Sequence, residues 1–210
     1  MGIDLVAIMD HQYTPETISA LLPGLRRLRT KFQPFLKMLR NDMHWRIPDD
    51  AEWHWEINEK FLSVTEQFRA ADDMSELEIS FHDGGRIRVY PKTIVYYGTK
   101  SWSLFCCNES YFFSVRLRES LIAVALALNS KSIIYAPDSA FSTSSAWDYA
   151  MEGDTAAFIE MKLRNECGPP TTVPWEKCLC TADSKYCEGG NSWFMEIDVA
   201  KPRLAQLRQE

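Results

Sequence analysis

The run Leu121 to Leu128 is apolar at all eight positions. It is far too short to span a bilayer. It lies within residues 110–129, which carry Arg116, Arg118 and Glu119 in their first half. This segment reads as a helix that is apolar almost all round, and such a helix needs cover on every side. The fold must therefore hold it centrally, and the other elements must supply the covering layers.

Strand patterns supply candidates for those layers. Leu77, Ile79 and Phe81 alternate with Glu78, Ser80 and His82, and Asp83-Gly84-Gly85 gives a tight turn. Ile87 and Val89 then alternate with Arg86 and Arg88. Two more strands are expected near 93–97 and 101–106, on either side of Gly98-Thr99-Lys100, completing an antiparallel meander from about 76 to 106. Residues 3–9 read as a buried strand, and residues 132–136 as another, closed by Pro137-Asp138. A final half-buried strand is expected at 193–199, with Trp193, Met195, Ile197 and Val199 on its inner side.

The remaining segments read as helices and one loop. Thr14 can cap a helix that Pro15 begins. Pro23 and Pro34 each open a new piece, because proline is poorly tolerated inside a helix. Trp53, Ile57, Phe61, Val64 and Phe68 share one helical face, so 50–70 is helical and 14–71 forms a helical subregion. Short helices follow near 145–151 and 155–166. Residues 171–191 form a loop rich in cysteine. The expected fold is one α+β domain spanning 1–210. It has a mixed, largely antiparallel sheet, a central buried helix and several short helices. At this length the chain buries roughly 70% of the surface its unfolded form exposes, so no metal, disulfide or cofactor is needed for folding.

Three constellations carry candidate chemistry. Asp10, His11 and Asp138 directly follow apolar strands. If those strands lie side by side and parallel, the three converge where ligands collect in open sheets, and a histidine between carboxylates can act as a general base or a metal ligand. The plainer alternative is that Asp10 and Asp138 cap the turns that end their strands. Cys167, Cys178, Cys180 and Cys187 could hold zinc tetrahedrally, but their spacing lacks the usual C-x2-C pair. Cys106 and Cys107, if on a strand, point to opposite faces. Trp45, Trp53 and Trp55 fall within eleven residues of a chain that has seven tryptophans. Trp53 belongs to the helical face, whereas Trp45 and Trp55 are candidate binding anchors.

Charge points the same way. Between Thr17 and Asn41 there is no acidic residue, while Arg26, Arg27, Arg29, Lys31, Lys37 and Arg40 lie there. The net charge is nevertheless −6, so the rest of the chain is strongly acidic. A basic patch on an acidic body suits a protein partner better than nucleic acid. The start of the chain has no basic segment, and Asp4 and Asp10 break its apolar run, so the reading expects a cytoplasmic protein without membrane association. No phosphate-binding glycine loop, H-E-x-x-H, G-x-S-x-G or C-x-x-C is present. Two functions follow as expectations. One is a non-catalytic module that binds another protein, as immunity or inhibitor proteins do. The other is a hydrolase using Asp10, His11 and Asp138.

Overall fold

The computed structural model describes residues 4–13, 34–35, 37–38, 41–42, 78–80, 85–90, 92–98, 101–106, 111–140, 145–171 and 193–199. Among these, six strands form one sheet: β1 (Leu5–Asp10), β2 (Glu78–Ser80), β3 (Arg86–Val89), β4 (Thr93–Gly98), β5 (Ser132–Pro137) and β6 (Phe194–Ile197). Their order is β2-β3-β4-β1-β5-β6. Every strand pairing is antiparallel, and an isolated parallel bridge joins Thr171 to Phe194. Helices with both ends among the described residues are α1 (Ser101–Cys106), α2 (Tyr111–Ala127), α3 (Ala146–Met151) and α4 (Ala156–Cys167), and residues 34–35, 37–38 and 41 are also helical. The α+β class stands as expected, and the expected meander is present from β2 to β4 but without a strand at 101–106.

Strand alternation sends side chains to two faces, and each face has its own core. On the first, Leu5, Ala7, Met9, Ile87, Ile94, Tyr96, Ile133, Tyr135 and Phe194 meet α1 and α2. On the second, Val6, Ile8, Val95, Ile134 and Ala136 meet α3 and α4. Strand β1 is central and covered on both sides, which is why Leu5 to Met9 are all buried and read as a continuous apolar run.

Helix α2 differs in one respect from the all-round buried helix expected. Phe113, Leu117, Leu121, Val124 and Leu128 are spaced 4, 4, 3 and 4 apart and form its buried stripe. Ile122 and Leu126 are only half-buried, and Ala127 is exposed. Small alanines and flanking aliphatics on the outer side make the sequence look uniformly apolar although one face does most of the packing.

Local chemistry explains the other boundaries. Ser145 and Asp148 form a reciprocal capping box that starts α3. Thr155 caps α4 by accepting from Phe158 N–H at 3.2 Å. Gly168 ends that helix at φ +82°, a conformation open to glycine at little cost. Gly85 enters β3 at φ +106°, and a Cβ there would lie 2.6 Å from the Tyr97 carbonyl oxygen.

Two expected elements are corrected. Residues 101–106 form helix α1, not a strand. Trp102, Phe105 and Cys106 share a helical side and turn together onto the first face, where Phe105 stacks on Tyr135 at 5.1 Å and Trp102 lies 5.8 Å from Phe194. Cys106 therefore lies on a helix and not on a strand, and Cys107 lies outside the described residues. At the end of the chain, β6 covers only Phe194–Ile197. Ile197 is 65% exposed, whereas Glu196 turns inward to accept from Tyr135 Oη at 2.8 Å and from Arg118 Nε at 2.7 Å. Asp198 at φ 55° breaks the strand and redirects Val199 into the first core. The expected helix 50–70, most of the subregion 14–71 and all of the loop 171–191 except Thr171 lie outside the described residues.

Candidate functional site

Strands β1 and β5 lie side by side, but they run antiparallel, with Leu5 opposite Pro137 and Ile8 opposite Ile134. The convergence of Asp10, His11 and Asp138 therefore does not occur. Asp10 and His11 sit at the end of β1, while Asp138 sits beside its beginning. They are separated by the length of the strand, roughly 17 Å at about 3.4 Å per residue.

Each of the three has a structural task where it stands. The Asp10 carboxylate accepts from Ala156 N–H at 2.8 Å. That amide is one of the unpaired donors at the start of α4, and a negative charge there is favoured by the helix dipole. His11 is 8% exposed. Its Nδ1 accepts from Tyr13 N–H at 3.1 Å, so this nitrogen carries no proton. Its Nε2, 2.7 Å from the Tyr90 carbonyl, must then be the protonated nitrogen and donates. The backbone N–H of His11 donates to Lys92 O at 3.2 Å. Burial lowers the His11 pKa from its ordinary value, outweighing the Tyr90 hydrogen bond and the Asp10 charge, which act upward. With both ring nitrogens engaged, His11 ties Tyr13 to the backbone at Tyr90.

At the other end of β1, Asp138 accepts from Asp4 N–H at 3.2 Å, and Asp138 N–H donates to Asp4 O at 3.0 Å. The Tyr97 hydroxyl donates to the Asp4 carboxylate. Burial raises the Asp138 carboxyl above its ordinary pKa, and the Asp4 charge adds to that. Tyr97 is also pushed up, first by burial and then by its bond to Asp4.

The same end of the second face carries a group the sequence reading did not single out. Arg86 and Arg88 lie on β3, opposite in facing to the buried Ile87 and Val89. The Arg88 guanidinium stands 4.6 Å from the Trp147 ring centre, and that of Arg86 stands 4.9 Å from Tyr97 and 5.4 Å from Trp147. Tyr97 and Trp147 meet edge to face at 4.7 Å. Cation–aromatic contacts of this kind are worth about 0.5–2 kcal/mol according to their exposure. The alternation of Arg86 and Arg88 with Ile87 was the available signal. Nothing in the sequence linked it to a tryptophan some sixty residues further along.

Among the described residues no three His, Cys, Asp or Glu side chains form a metal-sized group. Cys167 donates its S–H to Ala140 O at 3.0 Å, and burial with the Glu166 charge holds its thiol above the ordinary pKa. Cys178, Cys180 and Cys187 lie outside the described residues, as do Trp45, Trp55, Arg26, Arg27 and Arg29. No helix among the described residues is long and apolar enough to cross a membrane. Comparison with protein-family models, with curated proteins and with solved structures finds no match to this chain.

Proposed function

We propose that this chain is a non-catalytic module that binds another protein in the cytosol, in the manner of an immunity or inhibitor protein that neutralises its partner. The observation that favours this over the hydrolase is the state of His11. Its two ring nitrogens are taken up by Tyr90 O and Tyr13 N–H, and Asp138 is at the opposite end of β1. The hydrolase reading thereby loses the convergence on which it depended.

Positive support comes from two places. Half-buried Arg86 and Arg88 lie over half-buried Tyr97 and the buried Trp147, and arginine is enriched among residues that dominate binding energies. On α4, Phe158 and Met161 are 37% and 46% exposed and one helical turn apart. The basic stretch with Arg26, Arg27 and Arg29, and the anchors Trp45 and Trp55, complete the proposed contact set. A basic patch on an acidic body steers association by long-range attraction.

The test is capture of a protein from native cytosol on the immobilised full chain, followed by binding kinetics across a salt series. Association slows as salt rises, while dissociation changes less. Trp45→Ala or Trp55→Ala speeds dissociation and costs about 2 kcal/mol or more. Absence of any captured protein, or unchanged dissociation in both variants, rejects the proposal.

A further inference from the structure

We propose that His11, fastened to the turn between β3 and β4, is a pin that holds Tyr13 and lets it go in acid. The two ring contacts fix the tautomer. Tyr13 N–H is a donor and can only be received by an unprotonated Nδ1. The Tyr90 carbonyl is an acceptor and needs the proton on Nε2. The two partners together select one neutral form of the ring. A proton arriving from solvent has one nitrogen to occupy, Nδ1, and there it confronts the Tyr13 N–H. Two donors then face each other at a distance set for one hydrogen bond, so the Tyr13 contact breaks. The Nε2–H to Tyr90 contact survives, because a carbonyl accepts from the cation equally well. The pin is therefore one-sided: acid frees Tyr13 and leaves the β1 end attached.

The neighbouring groups set how readily this happens. On its own strand, Asp10 favours the cation, but its carboxylate is already engaged by Ala156 N–H of α4. From the β3–β4 turn, Lys92 presents its carbonyl to the His11 backbone and its side chain is exposed. Tyr90 offers its carbonyl, and its buried ring packs on Trp147. Tyr13 places its own ring 5.8 Å from the imidazole. Burial opposes the charge, in agreement with the lowered pKa. The chain continues from Tyr13 toward Arg26, Arg27 and Arg29, so on the binding reading above acid would loosen the root of the partner-facing stretch.

The experiment uses the full chain and no partner. Ring nitrogen shifts of His11 at about pH 7.5 report the tautomer, and amide exchange compares Tyr13 with Val6, Ala7 and Ile8 of β1 at about pH 7.5 and about pH 5, the range in which histidine changes charge. After correction for intrinsic exchange, the protection of Tyr13 is expected to fall about tenfold at the lower pH, the factor equivalent to one unit of pKa. The β1 amides keep theirs. In His11→Asn, which cannot charge, Tyr13 protection no longer depends on pH. The proposal is overturned by a neutral ring protonated on Nδ1, by a ring that stays neutral at the lower pH, by unchanged Tyr13 protection once the ring is charged, or by loss of protection in β1 together with Tyr13. Failure here leaves the binding reading standing, and failure to capture a partner leaves this result untouched.

Discussion

On the first face of the sheet, α1 and α2 bring Trp102, Phe105, Phe113 and Leu117 against Met9, Tyr135 and Phe194. On the second, α3 and α4 bring Ala146, Ala150 and Ala156 toward Val6, Ile8 and Ala136, and the larger members are Tyr90, Trp147, Ile159, Leu163 and Trp193. Large interlocking side chains make the first face a filled core. Small residues let helices approach a sheet closely, and they leave the second face's margins to polar groups. Asp10 stands at one margin, and Arg86, Arg88, Tyr97 and Asp138 stand toward the other. The first face holds the fold together, while the second face carries most of the candidate functional groups described.

The largest expected effect tests the first face. Leu121→Ala removes a fully buried side chain and is expected to cost about 2–5 kcal/mol in denaturant unfolding. Leu126→Ala, on the half-buried outer side of α2, is expected to cost about 1 kcal/mol, because roughly that much apolar area leaves water on folding. Equal losses would show that α2 is enclosed on all sides after all. The second face should fail in the opposite sense. Ala150 is fully buried in α3, and Ala150→Leu is expected to cost about 1–3 kcal/mol through overpacking. A neutral result would mean that the close approach of α3 leaves room for a larger side chain.

Much of this division was written in the sequence. The alternation of Ile87 and Val89 with Arg86 and Arg88 showed both faces of β3. The unbroken apolar run of β1 showed a strand covered on both sides. What escaped was information that no local pattern carries. In residues 101–106, Trp102, Leu104 and Cys106 alternate like a strand, while Trp102, Phe105 and Cys106 repeat like a helix. Six residues satisfy both templates, and contact with Tyr135 and Phe194 decides. The relative direction of β1 and β5 was likewise invisible, because each ends in an acid whichever way it runs. That single bit separates Asp10 and His11 from Asp138. The use of Asp10 as a helix cap depends on an amide 146 residues away.

The pH dependence of stability sharpens the contrast between the two ends of β1. His11 has a folded-state pKa below its ordinary 6.5. As pH falls through 6.5 the unfolded chain takes up the proton first, so this contribution is complete above that value and is lost progressively below it. Asp138 has the opposite sign. Its folded pKa is raised above 3.8, so the folded state holds its proton longer, and stability from this group is present below 3.8 and lost as pH rises through the raised value. Denaturant midpoints are therefore expected to fall between about pH 7.5 and about pH 5.5 in the native chain, the window of histidine titration. In His11→Asn this part of the slope should be flatter. An identical slope in both proteins would deny His11 its buried, neutral role.

The smallest expected effect separates cap from catalyst at Asp10. Its carboxylate meets the first amide of α4 at 2.8 Å, while Thr155 separately serves Phe158 N–H. Asp10→Ala removes an acceptor from a helix start, a loss of about 0.5–2 kcal/mol. Asp10→Asn keeps an oxygen that can accept from Ala156 N–H and removes only the charge that favours the helix dipole. It should therefore cost less, about 0.3–1 kcal/mol, and the difference between the two variants should change little with salt because it reports the hydrogen bond. Both variants are expected to unfold cooperatively and to bind a captured partner as the native chain does, since the carboxylate is turned toward α4. If Asp10→Asn and Asp10→Ala lose the same stability, the hydrogen bond to Ala156 contributes nothing, and Asp10 is left without the structural task that sets it apart from a catalytic acid.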